Sequence, residues 1–330
     1  MTEPNPFETV LQIAGGYCVP RCLHVVADLG VADHLDDTPR TAAALAAAVG
    51  ADPDALGRVL RLLAAHDVFA LQGGMVAHSP ASRLLQSDHP HSVRAFVRMF
   101  GAPIWWNVYE ALAQSVTTGR PAAATVLPEG LFAYYARHPD AGAVFDAAMT
   151  AKAQGHVAAI VAAYDFSHYG VVGDIGGGRG HLVRAVLDAA PTVRGVLFDV
   201  PRVIAEVAPM ASGRLTLQAG DFFHDALPAC DAYVLMEVIH DWGDDEAVAI
   251  LTAIQRAAPA DATLLLIEQM VPPEPGPAWT KMLDIHMLAM LGGRQRTRPE
   301  YAALLDRAGF ALRREIDTGA GIAILEAGTA

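Results

Sequence analysis

Apolar residues in roughly the first 135 positions recur at helical spacing. Thr41 stands before AAALAAAVG as an N-cap, and Gly50 closes that helix. Asp52 and Pro53 open a second helix that places Leu56, Val59, Leu60, Leu62 and Leu63 on one side. VFALQGGMVAHS follows, two short alternating runs about Gly73-Gly74, which predicts a hairpin. Helix, turn, helix, hairpin is the order of a winged helix. A further helical stretch is expected from Ala81, through Trp105, Trp106 and Tyr109, to Thr118-Gly119. A long helix from His138 to Tyr164 is expected to bridge two domains.

After about Gly170 the pattern changes. VVGDIG, RGVLFDV, RLTLQAG, DAYVLMEV and ATLLLIEQMV read as strands. HLVRAVLDAA, PRVIAEVAPMA and DDEAVAILTAIQRAA read as helices between them. Strands alternating with helices predict an α/β fold with a parallel, doubly wound sheet. RREIDTG and GIAILEAG predict a closing hairpin, and the Pro-rich Val271 to Pro277 a surface loop.

The 330 residues suit two domains, and 53% hydrophobic with 18% charged residues is a globular composition. Lys plus Arg is 23 against 36 Asp plus Glu, giving a net charge of −13. Such a chain repels phosphate backbones, and no local basic patch offsets this, so nucleic acid is not an expected partner. The second helix of the winged-helix pattern offers Arg58, Arg61 and His66, balanced by Asp52 and Asp54. That argues for a packing or dimerisation module over a DNA reader. Cys18, Cys22 and Cys230 form no disulfide framework and lack the second pair that zinc would need. No apolar run reaches about 18 uninterrupted residues, so no transmembrane helix is expected. The acidic start MTEPNPFETV does not resemble a signal peptide, and a cytoplasmic protein is the expectation.

VVGDIGGGRGH carries the clearest chemical signal. Glycines at 176, 177, 178 and 180 join a strand to a helix. There the backbone can approach a ligand closely, and the helix N-terminus favours anionic groups. The dehydrogenase fingerprint G-x-G-x-x-G fails at its third glycine, because position 181 is His. Asp199 stands at the tip of the next strand, where an acid holds ribose hydroxyls. Together these predict a nucleoside-containing cofactor.

The chain resembles the S-adenosylmethionine-dependent O-methyltransferases of plant phenolic and bacterial natural-product metabolism. The resemblance runs through GDIGGGRG, FDVPRVI, GDFF, VIHDWGDDE, IEQ and GGRQRT in family order. It implies a Rossmann-like catalytic domain behind an N-terminal, mainly α, winged-helix dimerisation domain. Residues 1–95 would be the dimerisation domain, 96–165 a helical linker contributing to the acceptor pocket, and 166–330 the cofactor-binding domain. S-adenosyl-L-methionine is the implied cofactor. Gly176, Gly177 and Gly178 would face its methionine end, Asp199 its ribose, and Asp221 and Phe222 its adenine. Met236 stands where relatives often carry a polar cofactor contact, four residues before the histidine.

The resemblance makes His240 a general base; alone, it would read as a capping or core histidine. Glu268 matches the first of two acids around that base. The second falls in GGRQRT, where Gln295 replaces the acid. Gln can hydrogen-bond an imidazole but cannot stabilise an imidazolium by charge. The implied reaction is metal-independent methylation of a phenolic hydroxyl on a polyketide-like aromatic metabolite. Trp105, Trp106, Phe145, Met149, Met287 and Met290 are candidate pocket residues, each equally explained by core packing. The competing readings are a methyltransferase-like enzyme that has lost methyl transfer (a hydroxylase or decarboxylase type) and a ligand-sensing winged-helix regulator.

Overall fold

The computed structural model describes residues 5–330, so residues 1–4 of the acidic opening MTEPNPFETV lie outside the described residues. The chain divides into two compact units. The first comprises the chain up to Asn107 with Leu131–Lys152, the second Val108–Gly130 with Ala153–Ala330. The long helix Pro139–Ala163 supplies residues to both.

In the first unit the local signals act as read. Thr41 Oγ1 accepts the Ala44 N–H at 3.1 Å, and Asp52 Oδ1 accepts that of Ala55 at 2.9 Å. These caps start helices Ala42–Val49 and Pro53–Ala64. The second buries Leu56, Leu60 and Leu63 against Val31, Leu45 and Phe69. Strands β1 (Phe69–Gln72) and β2 (Met75–His78) pair antiparallel across Gly73-Gly74.

Two stretches of the chain divide into shorter helices. The stretch from Ala81 to Thr118 is four short helices, Pro80–Arg83, Arg94–Gly101, Pro103–Glu110 and Leu112–Thr118. The Val93 N–H bonds back to the Leu84 carbonyl, closing a loop that contains Pro90, and Pro103 forces a new start. Second, the segment Pro6–Leu29 is long and apolar enough, by length and composition, to cross a membrane. It forms two helices, Pro6–Ala14 and Cys18–Leu29. The first buries no residue within the chain and exposes Phe7, Val10, Leu11 and Ile13.

The second unit is built on seven strands: β3 (Val171–Ile175), β4 (Arg194–Asp199), β5 (Leu215–Ala219), β6 (Ala232–Met236), β7 (Thr263–Glu268), β8 (Phe310–Asp317) and β9 (Ala323–Thr329). Their order is β5-β4-β3-β6-β7-β9-β8. The first five are parallel; β9 runs antiparallel between β7 and β8. All six residues of β7 are buried. Leu264 and Leu266 pack on one face with Ile250, Ile254 and Leu305, while Leu265 and Ile267 pack on the other with Ile160, Val183 and Val186. A strand covered on both faces reads as a continuous apolar run. The chain moves outward from β3 through β4 to β5, then returns to β6 on the other side of β3. That reversal opens a crevice at the carboxyl ends of β3 and β6, where such sheets bind ligands.

Candidate active site

Three loops meet at that crevice. The glycine turn after β3 comes first. Gly176 and Gly178 have φ of 69° and 56°. A Cβ on Gly177 would lie 2.4 Å from Asp174 Cγ and 2.6 Å from Leu197 Cδ1. The turn is therefore a cradle that a side chain would fill. Asp199, at the end of β4, accepts the Gly178 N–H at 2.8 Å and the Val200 N–H at 2.7 Å. Burial pushes its carboxyl above the usual range, and these two N–H groups oppose that. Under the turn, Asp174 is fully buried and accepts the Val183 N–H at 3.3 Å. Desolvation raises its carboxyl to about 7.

The second loop follows β5. Asp221 accepts the Phe223 N–H at 2.9 Å and lies 2.9 Å from His224 Nδ1, two contacts that hold its carboxyl low. His224 was not anticipated; it stands three residues on, inside the same turn. Phe222 packs edge-on against Phe223 and Trp242. A Cβ on Gly176 would lie 3.7 Å from Phe222 Cε1 and 3.2 Å from Val238 Cγ2, so the loops after β3, β5 and β6 converge.

The third loop follows β6. Glu237 adopts φ of 56°, a left-handed conformation that costs a residue other than glycine about 1 kcal/mol or more. Its carboxylate accepts from Gln269 Nε2 at 2.6 Å and lies 3.5 Å from His156 Nδ1. No spacing in the sequence points to this cluster. Met236 is partly buried against the apolar face below. His240 then sits in a single turn of 3-10 helix, Ile239–Asp241, with 4% of its surface exposed. Glu268, completely buried at the end of β7, meets it three times. Oε2 lies 2.7 Å from His240 Nδ1, and Oε1 accepts the N–H groups of Ile239 and His240 at 3.0 and 3.3 Å. A carboxylate only accepts, so Nδ1 carries the proton and a neutral ring keeps its lone pair on Nε2. Nε2 lies 3.4 Å from Asp241 Oδ1. Tyr301 packs beside this pair, and burial with the Glu268 charge holds its hydroxyl well above its ordinary range.

Gln295 departs from the expectation. Its side chain is buried, yet neither amide atom has a hydrogen-bond partner, and no bond joins it to His240. Glu268 already occupies Nδ1. The Gln295 backbone N–H instead donates to Asp284 Oδ1 at 2.9 Å.

The expected pocket residues fall in both units. Trp105 is buried and packs on Phe100, Trp106 lies under the Arg21 guanidinium, and Phe145 stacks on Tyr135; these contacts are internal to the first unit, which also holds Met149. Met287 and Met290 are buried on helix Trp279–Met290 in the second. On that helix His286 Nδ1 lies 3.1 Å from the hydroxyl of Tyr109, a contact spacing could not reveal. Among the described residues, no group of three or more His, Cys, Asp or Glu side chains is placed to hold a metal ion.

A parallel sheet with a glycine cradle, an acid at the next strand tip and an aromatic ring on the following loop defines a Rossmann-like nucleoside-cofactor enzyme. Family models agree. Residues 109–311 match the O-methyltransferase domain, and residues 11–88 match the O-methyltransferase dimerisation domain. The chain belongs to this O-methyltransferase family, and its cofactor is S-adenosylmethionine. It is 37% identical to the phenazine O-methyltransferase PhzM of Lysobacter antibioticus, covering 99% of both chains. It is 40% identical to an 8-amino-8-demethylriboflavin N,N-dimethyltransferase of Streptomyces davaonensis, covering 87% of this chain and 85% of the relative. Among solved structures it is similar to NcsB1, an O-methyltransferase from neocarzinostatin biosynthesis. That enzyme was solved with S-adenosylmethionine and 2-hydroxy-5-methyl naphthoic acid, at 32% identity and a TM-score of 0.78, with 95% of this chain and 96% of that one covered.

Proposed function

We propose that this enzyme methylates a phenolic hydroxyl of an aromatic secondary metabolite, with His240 as general base and without a metal. The carrying observation is the buried His240–Glu268 pair at 2.7 Å on the loop beside the glycine cradle. The cofactor supplies an activated methyl group on a sulfonium. What remains for the protein is alignment and removal of the acceptor's proton. Gly176, Gly177 and Gly178 hold the methionine end, Asp199 the ribose, and Asp221 with Phe222 the adenine. Glu268 orients the imidazole and stabilises its charged form. A phenol near pKa 10 and a histidine near 6.5 differ by roughly 5 kcal/mol in proton affinity. Proton loss therefore accompanies methyl transfer, or the acceptor carries an acidifying carbonyl. Phenazine and naphthoate in the relatives' names support a flat, fused-ring acceptor. Met287 and Met290, buried in the second unit, are the residues we assign to its pocket.

The exposed apolar residues of helix Pro6–Ala14 and the dimerisation-domain match support a homodimer. A second reading, methylation of an aromatic amine, is favoured by the 40% identical N,N-dimethyltransferase. A neutral amine attacks through its lone pair and needs no prior deprotonation. The test is mass spectrometry of hydroxyphenazines, hydroxynaphthoates and their amino analogues incubated with enzyme and S-adenosylmethionine. A product heavier by one methylene on a phenol, but not on its amino analogue, supports the leading reading. Methylation confined to the amines overturns it.

A further inference from the structure

The segment following Gly292 also reaches the His240 turn. Arg296 is almost wholly buried, with 1% of its surface exposed. Its Nη1 donates to the Ile239 carbonyl at 3.1 Å and its Nη2 to the Trp242 carbonyl at 2.9 Å. The Arg294 N–H donates to the His240 carbonyl itself at 2.9 Å. Nε and Nη2 of Arg296 also donate to Asp244 Oδ1, at 3.0 and 2.7 Å, which balances the buried charge. Gly293 makes the approach possible: a Cβ there would lie 2.1 Å from the His240 carbonyl oxygen and 2.4 Å from the Asp241 carbonyl carbon.

We propose that Arg296 is a positioning residue for methyl transfer, acting through the backbone of the turn that carries His240. The proposal rests on the reading of His240 as the base. Glu268 takes the N–H groups of Ile239 and His240, while Arg296 and the Arg294 amide take the carbonyls of Ile239, His240 and Trp242. An anion and a cation therefore grip one short turn, one through its N–H groups and the other through its carbonyls. A single turn of 3-10 helix has little hydrogen bonding of its own to fix it. The grip sets where the ring leaves the backbone, and hence where Nε2 points. The planar fork of arginine reaches three carbonyls, two of them on the turn, and a carboxylate at once, whereas lysine offers a point charge on a flexible stem.

The test uses full-length Arg296→Lys, with Asp244→Asn as a second variant that removes the carboxylate charge facing Arg296 and Arg294. Three quantities are read: amide deuterium exchange at residues 239–242, the ¹⁵N signals of the His240 ring (assigned against His240→Gln), and calorimetric affinity for S-adenosylhomocysteine. Arg296→Lys is expected to speed exchange about tenfold or more at 239–242 alone. It should merge the distinct Nδ1–H and Nε2 signals, and shift cofactor-product affinity less than about threefold. Turnover, followed on 2-hydroxy-5-methyl naphthoic acid, should fall through kcat with the cofactor KM unchanged. Wild-type exchange and ring signals in Arg296→Lys overturn the proposal. So does faster exchange across the whole unit with loss of S-adenosylhomocysteine binding, which marks a general fold contact. The exchange and ring readouts do not depend on what the ring does. Near wild-type turnover in His240→Ala removes the base assignment and leaves the grip on the turn to be judged by these two.

Discussion

His240 Nδ1 lies 2.7 Å from Glu268 Oε2, and the same carboxylate accepts the backbone N–H groups of Ile239 and His240. One side chain thus fixes both the ring and the peptide that carries it. Glu268→Gln presents an NH₂ where an acceptor is needed, on one side or the other. We expect turnover to fall by about 10²–10⁴, with stability lowered by roughly 1–3 kcal/mol for the hydrogen bond that is lost. Steady-state rates and chemical denaturation of the same preparation check both. Wild-type turnover would show that the pair only packs.

Asp199→Ala is expected to weaken binding of S-adenosylhomocysteine by about 1.5–3 kcal/mol, the worth of charge-assisted hydrogen bonds. Part of that loss is indirect, because Asp199 also holds the Gly178 N–H of the cradle. Isothermal calorimetry on the variant measures it; unchanged affinity removes Asp199 from the ribose site.

Asp174 gives a pH dependence. Its carboxyl stands at about 7 in the fold, above the usual carboxylate value, because it is buried. The folded chain therefore binds a proton there that the unfolded chain has released, and rising pH penalises the fold between about 4 and 7. Asp174→Asn does not titrate. Its stability relative to wild type should become more favourable from pH 5 to pH 8, by roughly 3 kcal/mol at about 1.4 per unit. Denaturation midpoints at the two values test the slope, whatever the absolute cost of the amide. Parallel pH profiles would show that Asp174 ionises normally.

Helix Pro6–Ala14 buries nothing within its own chain, though Phe7, Val10, Leu11 and Ile13 line it. Replacing these four by serine should move the sedimenting species from dimer toward monomer and lower activity. A fully active dimer would place the interface elsewhere.

Much of this fold was legible because its causes are local. Thr41 and Asp52 cap where they stand, Gly73-Gly74 turns a hairpin, and the β7 run is apolar because helices cover both of its faces. The cradle and Asp199 were legible because close approach demands glycine and a strand tip presents an acid. What stayed hidden is set by distant neighbours. The insertion of β9 between β7 and β8 follows from packing of a hairpin that could have lain either way round. The left-handed Glu237, the Tyr109–His286 contact and the isolated amide of Gln295 have no spacing signature. Arg296 read as one charge in a motif, because its carbonyl partners on the His240 turn lie more than fifty residues earlier.

The central claim is that His240 removes the acceptor's proton, and pre-steady-state methyl transfer by His240→Ala tests it most directly. Rapid-quench single turnovers would compare an ordinary phenol with an acceptor already ionised at the assay pH. With S-adenosylmethionine bound at wild-type affinity, transfer to the ordinary phenol should slow by about 10²–10⁴. The ionised acceptor should lose much less, since it brings no proton to remove. Equal losses for both acceptors, or near wild-type transfer to the ordinary phenol, would contradict the account.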